Sequence, residues 1–310
     1  MMLEALGYDK AIIQERIKSL SSLALRLEMK NGKENSVIIN DGYNISYSSL
    51  ALSISYLNQL ATSFPKTLII SQIPETSLDD ERVIQHISSS DFDRVLVVGG
   101  DALTHFTVNG FNSLLIYDSE LCKPFDNNRK GLNLGEAAAC VVLENEKSIS
   151  ITKNKKIATV LGWGNANDAY HQTASSPNGE GAQKAMQLAL EEAKLSPSKI
   201  DYVNAHGTAT SNNDLSEGRA IENIFGESQL FSSTKGYTGH TLAAAGIVEF
   251  IYSILSIETN TLFPLLNYNE KMSELKIRPI SELKTDVVIN TVLSNSFGFG
   301  GNNTTLIIGE

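Results

Sequence analysis

Cysteine is scarce: the 310-residue chain holds only Cys122 and Cys140. They make no C-x-x-C pair, so no disulfide framework is expected, and a reducing cytoplasm is the default location. Positive charge is also in deficit. Lys and Arg total 25 against 35 Asp and Glu, a net charge of -10, which argues against a nucleic-acid binder. The opening Met1-Met2-Leu3-Glu4-Ala5 has neither a basic n-region nor an apolar h-region, so no signal peptide is read there. No run of apolar residues looks long enough for a membrane span. The one glycine-rich stretch lacks both the Lys-Ser/Thr of a P-loop and the G-x-G-x-x-G spacing. No cofactor or metal ligand set is read, and no linker, low-complexity tract or short repeat is found. What remains is ordinary: 42% hydrophobic and 19% charged residues, enough for a sizeable core in one large or two smaller domains.

Periodicity divides the chain into alternating elements. Helical spacing is read over residues 10–30, 48–61 and 78–88, and again over 181–194, 215–225 and 243–256. Strands are read at Thr67–Ile70, at Arg94–Val98 ending on Gly99-Gly100, at 135–143, 157–163 and 200–204, and at 286–293 and 304–308. Such alternation predicts an α/β fold. Cys140 sits in Ala137-Ala138-Ala139-Cys140-Val141-Val142-Leu143 and reads as a small buried core residue. Cys122 precedes the loop-like Lys123-Pro124-Phe125-Asp126 and reads as non-catalytic.

Three segments stand close to expected strand ends, where open α/β sheets place ligand sites. They are His206-Gly207-Thr208-Ala209-Thr210-Ser211-Asn212-Asn213-Asp214, Ser233-Thr234-Lys235-Gly236-Tyr237-Thr238-Gly239-His240-Thr241 and Ser294-Asn295-Ser296-Phe297-Gly298-Phe299-Gly300-Gly301-Asn302-Asn303. In this order they closely resemble the β-ketoacyl synthase family of the thiolase-like fold. Pro124-Phe125-Asp126, Asn128-Arg129, 131–139 and Asp168-Ala169-Tyr170-His171 extend the likeness. It is specific from about residue 93 to 310 and weaker from about residue 46; residues 1–40 match nothing in the family. The resemblance implies two related halves with mixed sheets covered by helices, residues 1–145 and 146–310, the first half shortened. It implies a Claisen condensation on carrier-protein thioesters, in which a cysteine takes the acyl chain. Two histidines, His206 and His240, would support decarboxylation of a malonyl thioester, with Lys235 keeping them neutral. Phe299 would gate the acyl pocket and face the oxyanion hole. With Gly298, Thr208 and Thr210 it would line the substrate site. Glu136 and Asp214 would hold loops; for both, simple loop hydrogen bonding is as good a reading as direct chemistry.

The pattern fails at the nucleophile. Counting back from Gly99-Gly100 lands on Pro74 in Ile70-Ser71-Gln72-Ile73-Pro74-Glu75-Thr76-Ser77, where there is no cysteine. Ser71, Thr76 and Ser77 are poor substitutes, because their alkoxides need a dedicated base and Glu75, Asp79, Asp80 and Glu81 oppose ionisation. Pro74 itself suits the first turn of a helix. The expectation is therefore a chain-length-factor-like subunit bound to a cysteine-bearing ketosynthase in fatty-acid-like, polyketide or polyene synthesis. Carrier protein would dock mainly on the partner, and the heterodimer would form through the strand at residues 67–72. Two alternatives stay open: a malonyl carrier-protein decarboxylase using the retained histidines, or a homodimer with a vestigial site. Whether the chain is itself an enzyme is left undecided.

Overall fold

The computed structural model describes residues 28–31, 37–40, 67–70 and 93–310. The chain divides into two compact units, Met1–Thr62 and Ser63–Glu310. In the first, β1 (Glu28–Asn31) pairs antiparallel with β2 (Val37–Asn40), Glu28 opposite Asn40. Residues 28–30, expected at the end of a helix, are therefore strand. The rest of that expected helix, those at 48–61 and 78–88, and the position near Pro74 lie outside the described residues.

The second unit holds two sheets. One runs β3 (Thr67–Ile70), β4 (Arg94–Asp101), β5 (Ala137–Glu144). β3 is parallel to β4, with Thr67 opposite Arg94. β4 is antiparallel to β5 from Arg94–Glu144 to Asp101–Ala137. The Val95-Leu96-Val97-Val98 run is apolar and, at its three valines, β-branched, as a strand interior favours. It does not stop at Gly99-Gly100 as expected. Gly99 instead provides room: a Cβ there would lie 2.7 Å from Ile247 Cγ2 and 3.1 Å from the Ala243 carbonyl oxygen.

The other sheet is built from β6 (Thr159–Asn167), β7 (Tyr202–Asn204), β8 (Phe231–Ser232), β9 (Thr291–Phe297) and β10 (Asn302–Gly309), in the order β6-β10-β9-β7-β8. β9 lies parallel to β7 and antiparallel to β10. This repeats the β3-β4-β5 arrangement, with β8 added outside β7 and β6 outside β10. Two related halves are thus visible in strand order alone. Among the described residues the first sheet has only three strands to the second's five.

β9 begins five residues later than its apolar pattern indicated. The segment 287–289 is used otherwise: Val287 N–H donates to the Asn260 carbonyl and Ile289 N–H to Asn260 Oδ1. It thereby caps a helix end instead of pairing as strand. Two short helices escaped the periodicity, α1 (His105–Ser113) and α2 (Glu146–Thr152). Each is announced by an N-cap: Thr104 accepts from Thr107 N–H and Asn145 from Ser148 N–H. Longer helices follow at α3 (Glu180–Ala193), α4 (Ser211–Phe225) and, after the single turn α5 (Lys235–Thr238), α6 (Ala245–Thr259).

One core packs Met186, Ala189, Val203, Ile221, Leu293 and Ile307 between the five-stranded sheet, α3 and α4. A second packs Tyr202, Phe250, Ile257, Val292 and Ile308 on its α6 side. α6 touches β9 as well as β4 and β5, so it lies between the two sheets. Gly162 and Gly164 let α3 approach β6 closely, since a Cβ would fall 2.5 Å from the Ala189 and 2.1 Å from the Ala185 carbonyl oxygen.

Two expectations are corrected here. Cys140 is exposed, not buried, because even-numbered residues of β5 point to its open face: Ala138 and Val142 are exposed with it. And one apolar stretch is long enough to span a membrane: Leu242–Thr259 is 18 residues with a mean hydropathy of 1.5. Reading single runs of apolar letters missed it because Glu249 interrupts them. It is packed between two sheets and its Glu249 is ion-paired inside the protein.

Candidate active site

Three elements bring the candidate residues together. His206 lies two residues past the end of β7, Lys235 opens α5 after β8, and His240 lies just beyond α5. β7 and β8 are parallel neighbours, so their C-terminal ends deliver His206 and Lys235 to the same edge of the sheet. His240 is drawn in by the first half: its N–H donates to the Asn133 carbonyl at 2.7 Å, and Gly135 N–H donates to its carbonyl at 3.0 Å. The two imidazoles meet edge to face, ring centroids 5.3 Å apart.

Lys235 is 2% exposed. Its ammonium donates to His206 Nδ1 at 3.1 Å, to the His206 carbonyl at 2.5 Å and to Glu249 Oε1. An ammonium has no lone pair, so Nδ1 of His206 must accept and Nε2 must carry the proton. His240 reaches the same tautomer by another route, since Leu242 N–H donates to its Nδ1 at 3.2 Å. Both rings are neutral. Burial, then Lys235, then His240 hold His206 well below the ordinary imidazole value. Burial, with Lys235 second, lowers His240 to about 3. Burial thus contributes more than the ammonium to which the family resemblance assigned this effect. Chemically the pair offers two fixed N–H donors in a poorly hydrated place, which suits an oxyanion or enolate.

Around this pair the loops are held by buried carboxylates. Asp214, in the first turn of α4, accepts from Phe125 N–H at 2.6 Å and Ala209 N–H at 3.1 Å. It joins the 123–129 loop to the His206 loop. Glu217, one turn later, accepts from the N–H groups of both His206 and Gly207. The chain turns sharply here: Gly207 has φ +42, and a Cβ on it would meet Ser233 Cβ at 2.5 Å. Thr208 and Thr210 pair through their hydroxyls at 2.9 Å. Glu136 is exposed and accepts from Leu103 N–H at 3.0 Å. Gly298 donates to the Asn302 carbonyl in the β9–β10 turn. Phe299 stacks on Phe111 of α1, centroids 5.8 Å apart, while Phe297 is the ring that meets His206.

Neither cysteine is poised as a nucleophile. Cys122 is buried, its thiol pushed up by that burial, and its Sγ donates to the Lys235 carbonyl at 3.5 Å. Cys140 lies on the exposed face of β5.

The β-ketoacyl synthase N-terminal domain pattern matches residues 81–148, and the C-terminal domain pattern matches residues 157–269. The chain belongs to the β-ketoacyl synthase family. Over 230 residues it is 36% identical to 3-oxoacyl-[acyl-carrier-protein] synthase 2 of Staphylococcus aureus, covering 71% of this chain and 57% of that protein. The chain thus spans little more than half the length of the curated relatives it matches. Solved structures agree on a thiolase-like fold. The ishigamide ketosynthase/chain length factor superposes with a TM-score of 0.68 at 32% identity, over 73% of this chain and 56% of that one. A ketosynthase in complex with its chain length factor from Xenorhabdus doucetiae gives 0.69 at 29% identity, over 96% and 70%. The ketosynthase N-terminal match begins at residue 81, after the Pro74 position.

Sequence reasoning passed over Glu217 and Glu249. Glu249 did carry a signal: it is the single charge in Ala245-Gly246-Ile247-Val248-Glu249-Phe250-Ile251-Tyr252 and the residues that follow to Ile257. A lone carboxylate on so apolar a helix needs a buried partner. Glu217 carried none, because α4 is polar along much of its length.

Proposed function

We propose that this chain is a non-condensing ketosynthase-family subunit that partners an active, cysteine-bearing ketosynthase. One observation carries the reading. The 310 residues contain two cysteines, and one is buried with a raised thiol pKa while the other sits on an exposed strand far along in sequence from the expected nucleophile position. Condensation needs a thiolate to hold the acyl chain, and on this reading a partner ketosynthase supplies it. A ketosynthase/chain length factor and a ketosynthase in complex with its chain length factor are among the structural neighbours, which supports pairing with a second ketosynthase-family chain. A third neighbour is a ketosynthase caught with its acyl-carrier protein, which supports carrier-protein thioesters as the substrate class of the assembly. Incubation of the purified chain with acyl carrier protein and analysis by intact-protein mass spectrometry tests the reading. No acyl adduct is expected, and one mapped to residues 70–80 overturns it.

A second reading has its own observation. Both histidines present a protonated Nε2 and both are neutral. Two such donors stabilise the thioester enolate left when a malonyl group loses carbon dioxide. The C–C bond pair becomes the enolate, which then takes a proton from water to give the acetyl thioester. A slow loss of carbon dioxide from malonyl carrier protein, abolished in both His206→Ala and His240→Ala, favours this enzyme role; a background rate favours the partner role alone.

A further inference from the structure

Glu217 is fully buried in α4, and its hydrogen-bond partners are all uncharged donors. Oε1 accepts from His206 N–H at 2.8 Å and from Asn295 Nδ2 at 3.0 Å, and Oε2 accepts from Gly207 N–H at 2.9 Å. One carboxylate therefore ties α4 and β9 to the backbone of the residue whose imidazole lines the site. It does so where the chain turns through the left-handed Gly207. The groups facing it are Asp214 from the preceding turn of α4, His206 from the end of β7 and Asn295 from β9. α3 brings Met186 to the Asn295 amide at 3.7 Å. The Lys235 ammonium is committed to Glu249 and to His206.

An ionised carboxylate offers lone pairs to all three donors at once. A neutral carboxyl places an O–H where an N–H already points, and one bond of the three is lost. We propose that Glu217 is a proton-operated latch on the His206 turn. Ionised, it clamps His206 and Gly207 to α4 and β9; protonated, it frees one of these amides and lets the imidazole shift. The set point is close to neutrality. Burial raises the carboxyl to about 7 against the lowering by the Gly207, Asn295 and His206 donors, and Asp214 adds to the rise. The folded value lies above the unfolded 4.5, so this group's contribution to stability declines as pH rises from about 4.5 to 7. The latch itself closes as pH rises through about 7, where the folded carboxyl ionises.

The latch acts on the site of the proposed function, and only its consequence rests on that reading. Its test is spectroscopic, so its failure leaves the partner and decarboxylase readings standing. Carbon-13 NMR of the full chain labelled at glutamate carboxyls, with the His206 and Gly207 amides followed in parallel, reads the titration directly. Glu217→Gln assigns the signal. A midpoint at about 7 is expected, shared by both amides, and the Gln variant should hold those amides at their low-pH positions. Hydrogen–deuterium exchange of the wild-type peptide 204–209 decides the matter even where the variant does not fold. After correction for intrinsic rates, protection should drop on the order of tenfold below neutral pH as one hydrogen bond is lost. A carboxyl that titrates in the ordinary range, amides that ignore its titration, or protection that stays flat across neutrality overturns the latch.

Discussion

Lys235 serves three acceptors with one ammonium, and two of them belong to His206. Burial pushes the Glu249 carboxyl up and Lys235 pulls it back. Removing one partner of such a pair strands the other in a dry place, at about 3–5 kcal/mol. Lys235→Met is therefore expected to lower the unfolding free energy by about that much in chemical denaturation, and Lys235→Met combined with Glu249→Leu to recover most of it. The histidines give a pH signature of definite sign. Both are held neutral in the folded chain, with pKa values below the unfolded 6.5. The unfolded chain takes up the protons, so their stabilising contribution is present above about pH 6.5 and is lost as pH falls toward 3. His240→Gln should flatten the stability-against-pH curve in that interval. At this scale the sequence was informative where a residue type is unusual in its motif, as with His206, Lys235 and His240. It was silent on Glu217, whose role depends on which backbone amides the fold brings to it.

The elements are set by pattern until packing overrides it. The run of four apolar residues in β4 forms a strand as its chemistry demands, while the equally apolar 287–289 segment closes the end of α6. Nothing local separates the two; the Asn260 amide and carbonyl do. β6 shows the converse, a strand whose glycines are specified by a neighbouring helix. Gly164→Ala would place a methyl 2.1 Å from the Ala185 carbonyl oxygen. Overpacking of this kind costs about 1–3 kcal/mol. A lowered urea midpoint with an unchanged slope is expected, and an unchanged midpoint would mean that α3 can slide without loss. α6 was read as a helix from its spacing, but its place between two sheets, and hence the fate of Glu249, needs the first half of the unit to be seen.

At the scale of the whole molecule, the repeated strand order of the two sheets fits the family, and the three-strand sheet leaves β5 as an edge among the described residues. Co-expression with a cysteine-bearing ketosynthase and size exclusion should yield a stable complex of the two chains. Elution of this chain as a homodimer that ignores every such ketosynthase tells against the partner reading. The exposure of Cys140 supplies a reporter for that experiment. Thiolates react with maleimides according to access and pKa. The native chain should take up one label, at Cys140, and the denatured chain two, since Cys122 is shut inside with its thiol pKa raised. The corrected burial of this one residue thus makes the open face of β5 chemically addressable. Slower labelling in a complex would map the covering of that strand by whatever binds there, without altering a single side chain.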